Sequence, residues 1–170
     1  MLISYASTLV DLDSKLWGMV LPIPAEIVAE ILAATTDRRI LCRFNGQEPL
    51  RHLALMPDGQ GGYFINVGKD LRKSYQLNEG DLVKLDISPD NSRYGMPMPE
   101  EMAVLLEQDG EAEHYFHALT MGKQRALLHI IGKPKTSATR LKKALGITEY
   151  LKSVNGKLDF REMHEALKRS

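Results

Sequence analysis

The sequence predicts an α+β fold: a closed six-stranded β-barrel with a pseudo-two-fold strand–helix–strand repeat, followed by a small all-α domain. Three observations predict it. Period-two alternation prevails in residues 1–90 and helical periodicity in residues 100–170, with SPDNSRYGMPMP between them. A strand, short helix, Gly-Asp turn and second strand run through residues 61–87, GGYFINVGKDLRKSYQLNEGDLVKLDI. A weaker copy of that plan occupies residues 18–44, with Leu21 and Ile27 matching Ile65 and Leu71, and Ile40, Cys42 and Phe44 matching Val83, Leu85 and Ile87. Two such units fit a barrel filled by side chains from both halves, whose closure removes edge strands. The expected boundaries are 1–90 for the barrel, 91–99 for a linker and 100–170 for the helices.

Each element has its own signal. Residues 2–12 alternate through Ile3, Tyr5, Thr8 and Val10 and read as a first strand. Residues 16–21, with Trp17 at their start, read as a second, stopped by Pro22 and Pro24. Pro24 suits the opening of a helix, where a missing N–H costs nothing, and Ile27, Val28, Ile31 and Leu32 give that helix a buried stripe. Ile40, Cys42 and Phe44 share one face of the next strand, and Asn45-Gly46 is a hairpin signal. Residues 50–56, 63–67 and 82–87 complete the six strands, with a turn at Pro57-Asp58-Gly59.

Beyond the linker, Pro99-Glu100-Glu101 opens a helix with acids at its positive end, and Met102, Leu105 and Leu106 are its core face. Ala112, Tyr115, Phe116 and Leu119 mark a second helix. Met121, Leu127, Leu128 and Ile131 mark a third, stopped by Gly132 and Pro134. Ser137 is placed to cap a fourth, with Leu141 and Leu145 buried and Gly146 as its exit. The last begins at Asp159-x-x-Glu162 and buries Phe160, Met163 and Leu167.

Composition bounds the function classes. A hydrophobic content of 44% and a charged content of 26% are those of a soluble globular protein. No apolar run reaches the roughly 18 residues of a membrane span. The N-terminus has no basic region ahead of an apolar one, so no signal peptide is expected. Cys42 is the single cysteine, which excludes a disulfide within one chain and points to a cytoplasmic location. The zero net charge conceals a division: residues 1–121 carry 10 Lys/Arg and 18 Asp/Glu, residues 122–170 carry 12 and 4. Attraction between the two halves, or between two chains, is the favoured reading over a basic tail seeking nucleic acid or membrane.

Candidate chemistry is sparse. Glu111, His114 and His117 share a helix face at metal-ligand spacing, but matching motifs on other helices are absent. Gly59-Gln60-Gly61-Gly62 lacks the Lys-Ser/Thr of a phosphate loop and reads as a turn. Cys42 reads as a buried small hydrophobe. No catalytic residue is assigned, and no metal or cofactor is expected. Two basic clusters remain: Lys69, Arg72 and Lys73, then Lys133, Lys135, Arg140, Lys142 and Lys143.

Residues 65–87 resemble the half-barrel of cradle-loop proteins, including the AbrB-like swapped-hairpin DNA binders. A wider resemblance rests on Trp17, Leu21-Pro22, Gly61-Gly62-Tyr63, Lys69 and Gly80-Asp81. It continues in Phe116-x-x-Leu119-Thr120-x-Gly122-Lys123-Gln124-Arg125, in residues 133–140, and in Gly156-Lys157-Leu158-Asp159-Phe160. Together these resemble the bacteriocin-protection, YdeI-or-OmpD-associated proteins, which implies a small barrel of unknown function ahead of a helical domain. The leading expectation is a non-enzymatic binding protein, related to stress or bacteriocin protection. Its site for a small molecule or peptide is expected between barrel and helices, lined by Trp17, Lys69 and Arg72. The alternatives are a nucleic-acid-binding module led by Lys133, Lys135, Arg140, Lys142 and Lys143, and an unrecognised enzyme. A homo-oligomer is left open.

Overall fold

The computed structural model describes residues 1–35 and 37–170. These form two compact units, Met1–Gly95 and Met96–Ser170.

The first unit comprises β1 (Ile3–Thr8), β2 (Val10–Asp11), β3 (Met19–Ile23), α1 (Ala25–Ala34), β4 (Arg39–Phe44), β5 (Gln47–Ala54), β6 (Met56–Pro57), β7 (Tyr63–Asn66), α2 (Lys69–Tyr75) and β8 (Leu82–Pro89). The strands form two open antiparallel sheets of four, in the orders β1-β8-β4-β5 and β2-β3-β7-β6. The expected closed six-stranded barrel is therefore not formed. The physical reason lies at Leu9 and Leu55, where two segments that read as single strands are broken. Leu9 N–H donates to the Asp81 carbonyl at 2.9 Å, and Gly80 N–H donates to the Leu9 carbonyl at 2.8 Å. Leu55 N–H donates to the Arg38 carbonyl at 2.9 Å. These bonds are the last along the β1–β8 and β4–β5 pairings, and beyond them each segment changes sheet: β1 pairs with β8 but β2 with β3, and β5 pairs with β4 but β6 with β7. Gly80 makes its corner at φ +87°, a conformation that favours glycine.

The two repeated segments do meet, but in separate ladders. Leu21 faces Ile65 in the β3–β7 pair, and Cys42 faces Ile87 in the β4–β8 pair. The core lies between them and includes Leu9, Leu21, Ile31, Phe44, Leu55, Ile65 and Ile87. Phe44 stacks on Tyr75 of α2 with ring centroids 4.9 Å apart, which fastens that helix to the strands.

The second unit comprises α3 (Glu100–Gln108), α4 (Gly110–Ala118), α5 (Met121–Gly132), α6 (Ser137–Ser153) and α7 (Phe160–Arg169). Asp109, Thr120, Thr136 and Asp159 cap the last four, accepting from the N–H groups of Ala112, Lys123, Thr139 and Glu162. Thr136, not the expected Ser137, caps α6, and α6 runs straight through Gly146. One helical glycine costs about 1 kcal/mol. The buried stripe of Ala144, Ile147, Thr148 and Leu151 offsets that cost and continues the helix. The stripe also rotates the helix, so Leu141 and Leu145, expected in the core, stand 42% and 48% exposed.

Acidic and basic segments meet inside this unit. Residues 96–121 hold six Asp/Glu and no Lys/Arg, while the helices after them are basic. Arg140 pairs with Glu101 at 2.9 Å, and Lys152 pairs with Asp109. These contacts join the start of α3 to the start of α6, and the residue after α3 to the end of α6. The two helices therefore run parallel.

Leu9→Ala should lower stability by about 2–5 kcal/mol in a denaturant melt, because a fully buried side chain is removed at a corner that cannot collapse freely. Gly156 has φ +78°, and an added Cβ would lie 2.9 Å from the Tyr115 ring. Gly156→Ala is expected to cost about 1–3 kcal/mol for that reason. A loss below about 0.5 kcal/mol in either variant would contradict these readings.

Candidate functional site

The residues picked out from sequence fall in several places. Trp17 is half-buried between β2 and β3, with its ring edge against Phe64 at a centroid distance of 5.5 Å. Lys69 is exposed at the start of α2, and Arg72 is half-buried one turn on, its Nε buried with no partner among the described residues. In the second unit Lys133, Lys135 and Lys142 are exposed and Lys143 is half-buried. Arg140 behaves differently. Its Nε donates to Glu101 at 3.0 Å, and its Nη1 donates to the carbonyls of Pro134 and Lys135 at 3.1 and 3.0 Å. Hydrogen bonding from Ser137, then from Arg140, holds the Glu101 carboxyl below the usual range. Arg140 thus braces the α5–α6 corner.

The other motif residues of the helical unit are also corner pieces. Phe116 and Leu119 are buried, Thr120 caps α5, and Gln124 donates through Nε2 to the Leu119 carbonyl at 2.9 Å. At the α6–α7 corner, Gly156 N–H closes on the Leu151 carbonyl at 2.8 Å, and the Tyr150 hydroxyl donates to the Asp159 carbonyl at 3.2 Å.

The weaker sequence candidates resolve into structural roles. Asp58 accepts from the N–H groups of Gln60 and Gly62 at 2.7 and 2.9 Å, which folds the Gly-rich stretch into the β6–β7 turn. Cys42 is fully buried, and burial, aided by the charge of Asp86, pushes its thiol up to about 12. His117 contacts Glu113 at 2.8 Å, while His114 lies edge-on to Tyr115. Among the described residues no group of three or more His, Cys, Asp or Glu is placed to hold a metal.

One polar cluster was not legible in the sequence. His52 of β5 contacts Asp90, just after β8, through Nδ1 at 2.7 Å. The other Asp90 oxygen accepts from the Ser92 hydroxyl at 2.6 Å and the Ser92 N–H at 2.9 Å. Burial opposes ionisation of Asp90, but the Ser92 and His52 hydrogen bonds outweigh it and hold the carboxyl below its ordinary value. The cluster ties the segment after β8 to the edge strand β5.

The surface feature best suited to a ligand lies on the helical unit. Glu100, Val104, Leu105 and Gln108 of α3 and Leu141 and Leu145 of α6 line a trough of about 460 Å³. Val104 is 45% exposed on one bank, and Leu141 and Leu145 stand on the other, so three large apolar side chains meet water together. Beyond Leu145 a second groove of about 470 Å³ runs between α6 and α7, past Lys142, Gly146 and Glu149. A larger groove of about 620 Å³ along α7 is lined by charges, among them Arg161, Glu162, Glu165 and Arg169.

A strand-rich unit of two open sheets joined to a five-helix unit with an apolar trough defines the class of protein. Residues 96–153 match the family described as Bacteriocin-protection, YdeI or OmpD-Associated, and residues 6–87 match a Domain of unknown function (DUF1905). The segment similar to the bacteriocin-protection, YdeI-or-OmpD-associated family is thus preceded by one similar to the domain of unknown function. No curated protein matches the sequence. The trough lies within the matched segment.

The Asp90 shift has a sign that can be tested. A carboxyl held below its ordinary value stabilises the fold above the unfolded pKa, and that contribution fades as pH falls through the folded one. Asp90→Asn should therefore cost about 1–3 kcal/mol at neutral pH. Urea melts should show the gap closing below about pH 4. A gap unchanged down to pH 3 would contradict the ionised hydrogen-bonded carboxylate.

Proposed function

We propose that this is a non-enzymatic binding protein that holds a small apolar ligand, or the apolar face of a peptide, in the trough between α3 and α6. The observation that carries this reading is the convergence of Val104, Leu141 and Leu145, each more than two-fifths exposed, on one concave surface. Exposed apolar area of this kind gains about 25 cal/mol per Å² when covered, and a concave site covers a ligand from two sides. Glu100 and Gln108 give the trough polar edges that can orient what enters. The family description speaks of protection and association rather than of a reaction, which agrees with binding and with a role in stress or bacteriocin protection. Binding is preferred over the nucleic-acid alternative because Arg140, one of the cations that alternative needs, is engaged by Glu101. Trp17, Lys69 and Arg72 remain the proposed ligand contacts of the first unit.

Titration with a neutral apolar dye such as Nile red is expected to show saturable binding. Val104→Gln and Leu141→Gln should each weaken it by about 5- to 100-fold, the equivalent of about 1–3 kcal/mol. Both side chains are partly exposed, so the melting temperature should move by only a few degrees. Dye affinity unchanged in the double variant would sink the proposal.

A further inference from the structure

One face of α6 is left uncovered by the described residues of the helical unit. Ala138, Lys142, Leu145, Glu149 and Ser153 are all exposed and recur at spacings of four, three, four and four residues, which places them along one side of the helix. In order they are a small residue, a cation, an apolar residue, an anion and a small residue. Reversed, that order is its own complement. A second α6 laid antiparallel, centred between Leu145 and Gly146, sets Lys142 opposite Glu149 on both sides of the centre. It also sets Ala138 opposite Ser153, and brings the two Leu145 side chains beside the two-fold axis.

We propose that this face pairs with itself, and that its occupant is a second copy of this chain, related by a two-fold axis across α6. Charge complementarity is the first ground. An isologous contact requires that one surface match its own rotated image, and Lys142 and Glu149 sit where the rotation exchanges them. Lys142 has no ion pair among the described residues. Glu149 touches Lys152 at 3.0 Å but is 68% exposed on its side chain, so it can turn to a new partner. Shape is the second ground. Leu145 stands as a ridge between grooves of about 460 and 470 Å³, so each copy offers both a projection and the hollows beside it. The pattern also discriminates: a partner of uniform charge meets repulsion from Lys142 or from Glu149, and only a partner with the reversed order avoids both. The contact is small. It falls in the class below about 1,200 Å² that forms weakly and depends on concentration.

This pairing goes beyond the ligand reading. Leu145 borders the α3–α6 trough, whereas Lys142 and Glu149 do not line it.

Sedimentation velocity of the full chain, from about 5 µM to about 1 mM, tests it. The wild type is expected to rise from its monomer mass of 19.1 kDa towards twice that value, and less so as salt increases. Lys142→Glu and Glu149→Lys should each weaken association by at least about tenfold, by setting like charges opposite one another. The combined Lys142→Glu, Glu149→Lys variant should restore it, with circular dichroism unchanged throughout. A wild type that stays monomeric overturns the proposal, as does a folded double variant that fails to recover. Nile red binding by a strictly monomeric protein would leave the trough reading standing and remove only the self-pairing.

Discussion

The arrangement of the helical unit depends on opposite charge meeting across α3 and α6. The acidic α3 and α4 would repel one another without the basic helices that follow, and Arg140 and Lys152 supply the matching charges at the two ends of α3. Asp109 serves two purposes, capping α4 through one oxygen and pairing with Lys152 through the other. Half-buried pairs at the rim of a unit, like these, add modest net stability. Their consequence is alignment: with both ends fixed, α3 and α6 lie parallel. Val104 and Leu141 are then left on the outer slopes and the core is filled by Met102, Ala144 and Leu151. The trough is thus a by-product of which helix faces the ion pairs bring inward.

The motif residues that carry the family resemblance serve the same architecture. Gly80 and Asp81 clamp the backbone of Leu9 where the chain passes between sheets. Gln124, Arg140 and Gly156 close the three corners from α4 to α7. A residue that must bond two distant carbonyls or adopt a positive φ tolerates few replacements, which is a physical basis for a recognisable sequence pattern. The trough residues meet no such demand. They need only be apolar and partly exposed, so they leave no motif.

Much of the fold was legible. Strand positions followed from alternation at Ile40, Cys42 and Phe44, but the repeat matched Cys42 with Leu85, whereas the ladder sets Cys42 opposite Ile87. That the expected barrel stays open was not legible, because the breaks at Leu9 and Leu55 coincide with bonds to Gly80, Asp81 and Arg38, distant in sequence. The helix ends were legible from Pro99 and Asp159, but Gly146 misled, since a single glycine stops a helix only where no buried face continues beyond it. The candidate site was legible only as an inconsistency. Leu141 and Leu145 share a face, yet Ala144, Ile147 and Leu151 describe a second, longer apolar face on the same helix, and only one of the two can be the core. His52 and Asp90 lie 38 residues apart and carry no local signal of their contact.

The central claim is that the α3–α6 trough is where this protein binds. Backbone amide shift mapping of the full chain, titrated with Nile red, tests it most directly. Shifts concentrated at Val104, Leu105, Leu141 and Leu145, saturating together, are the predicted result. Shifts concentrated on the two sheets or along α7, with those four amides unmoved at saturation, would contradict it.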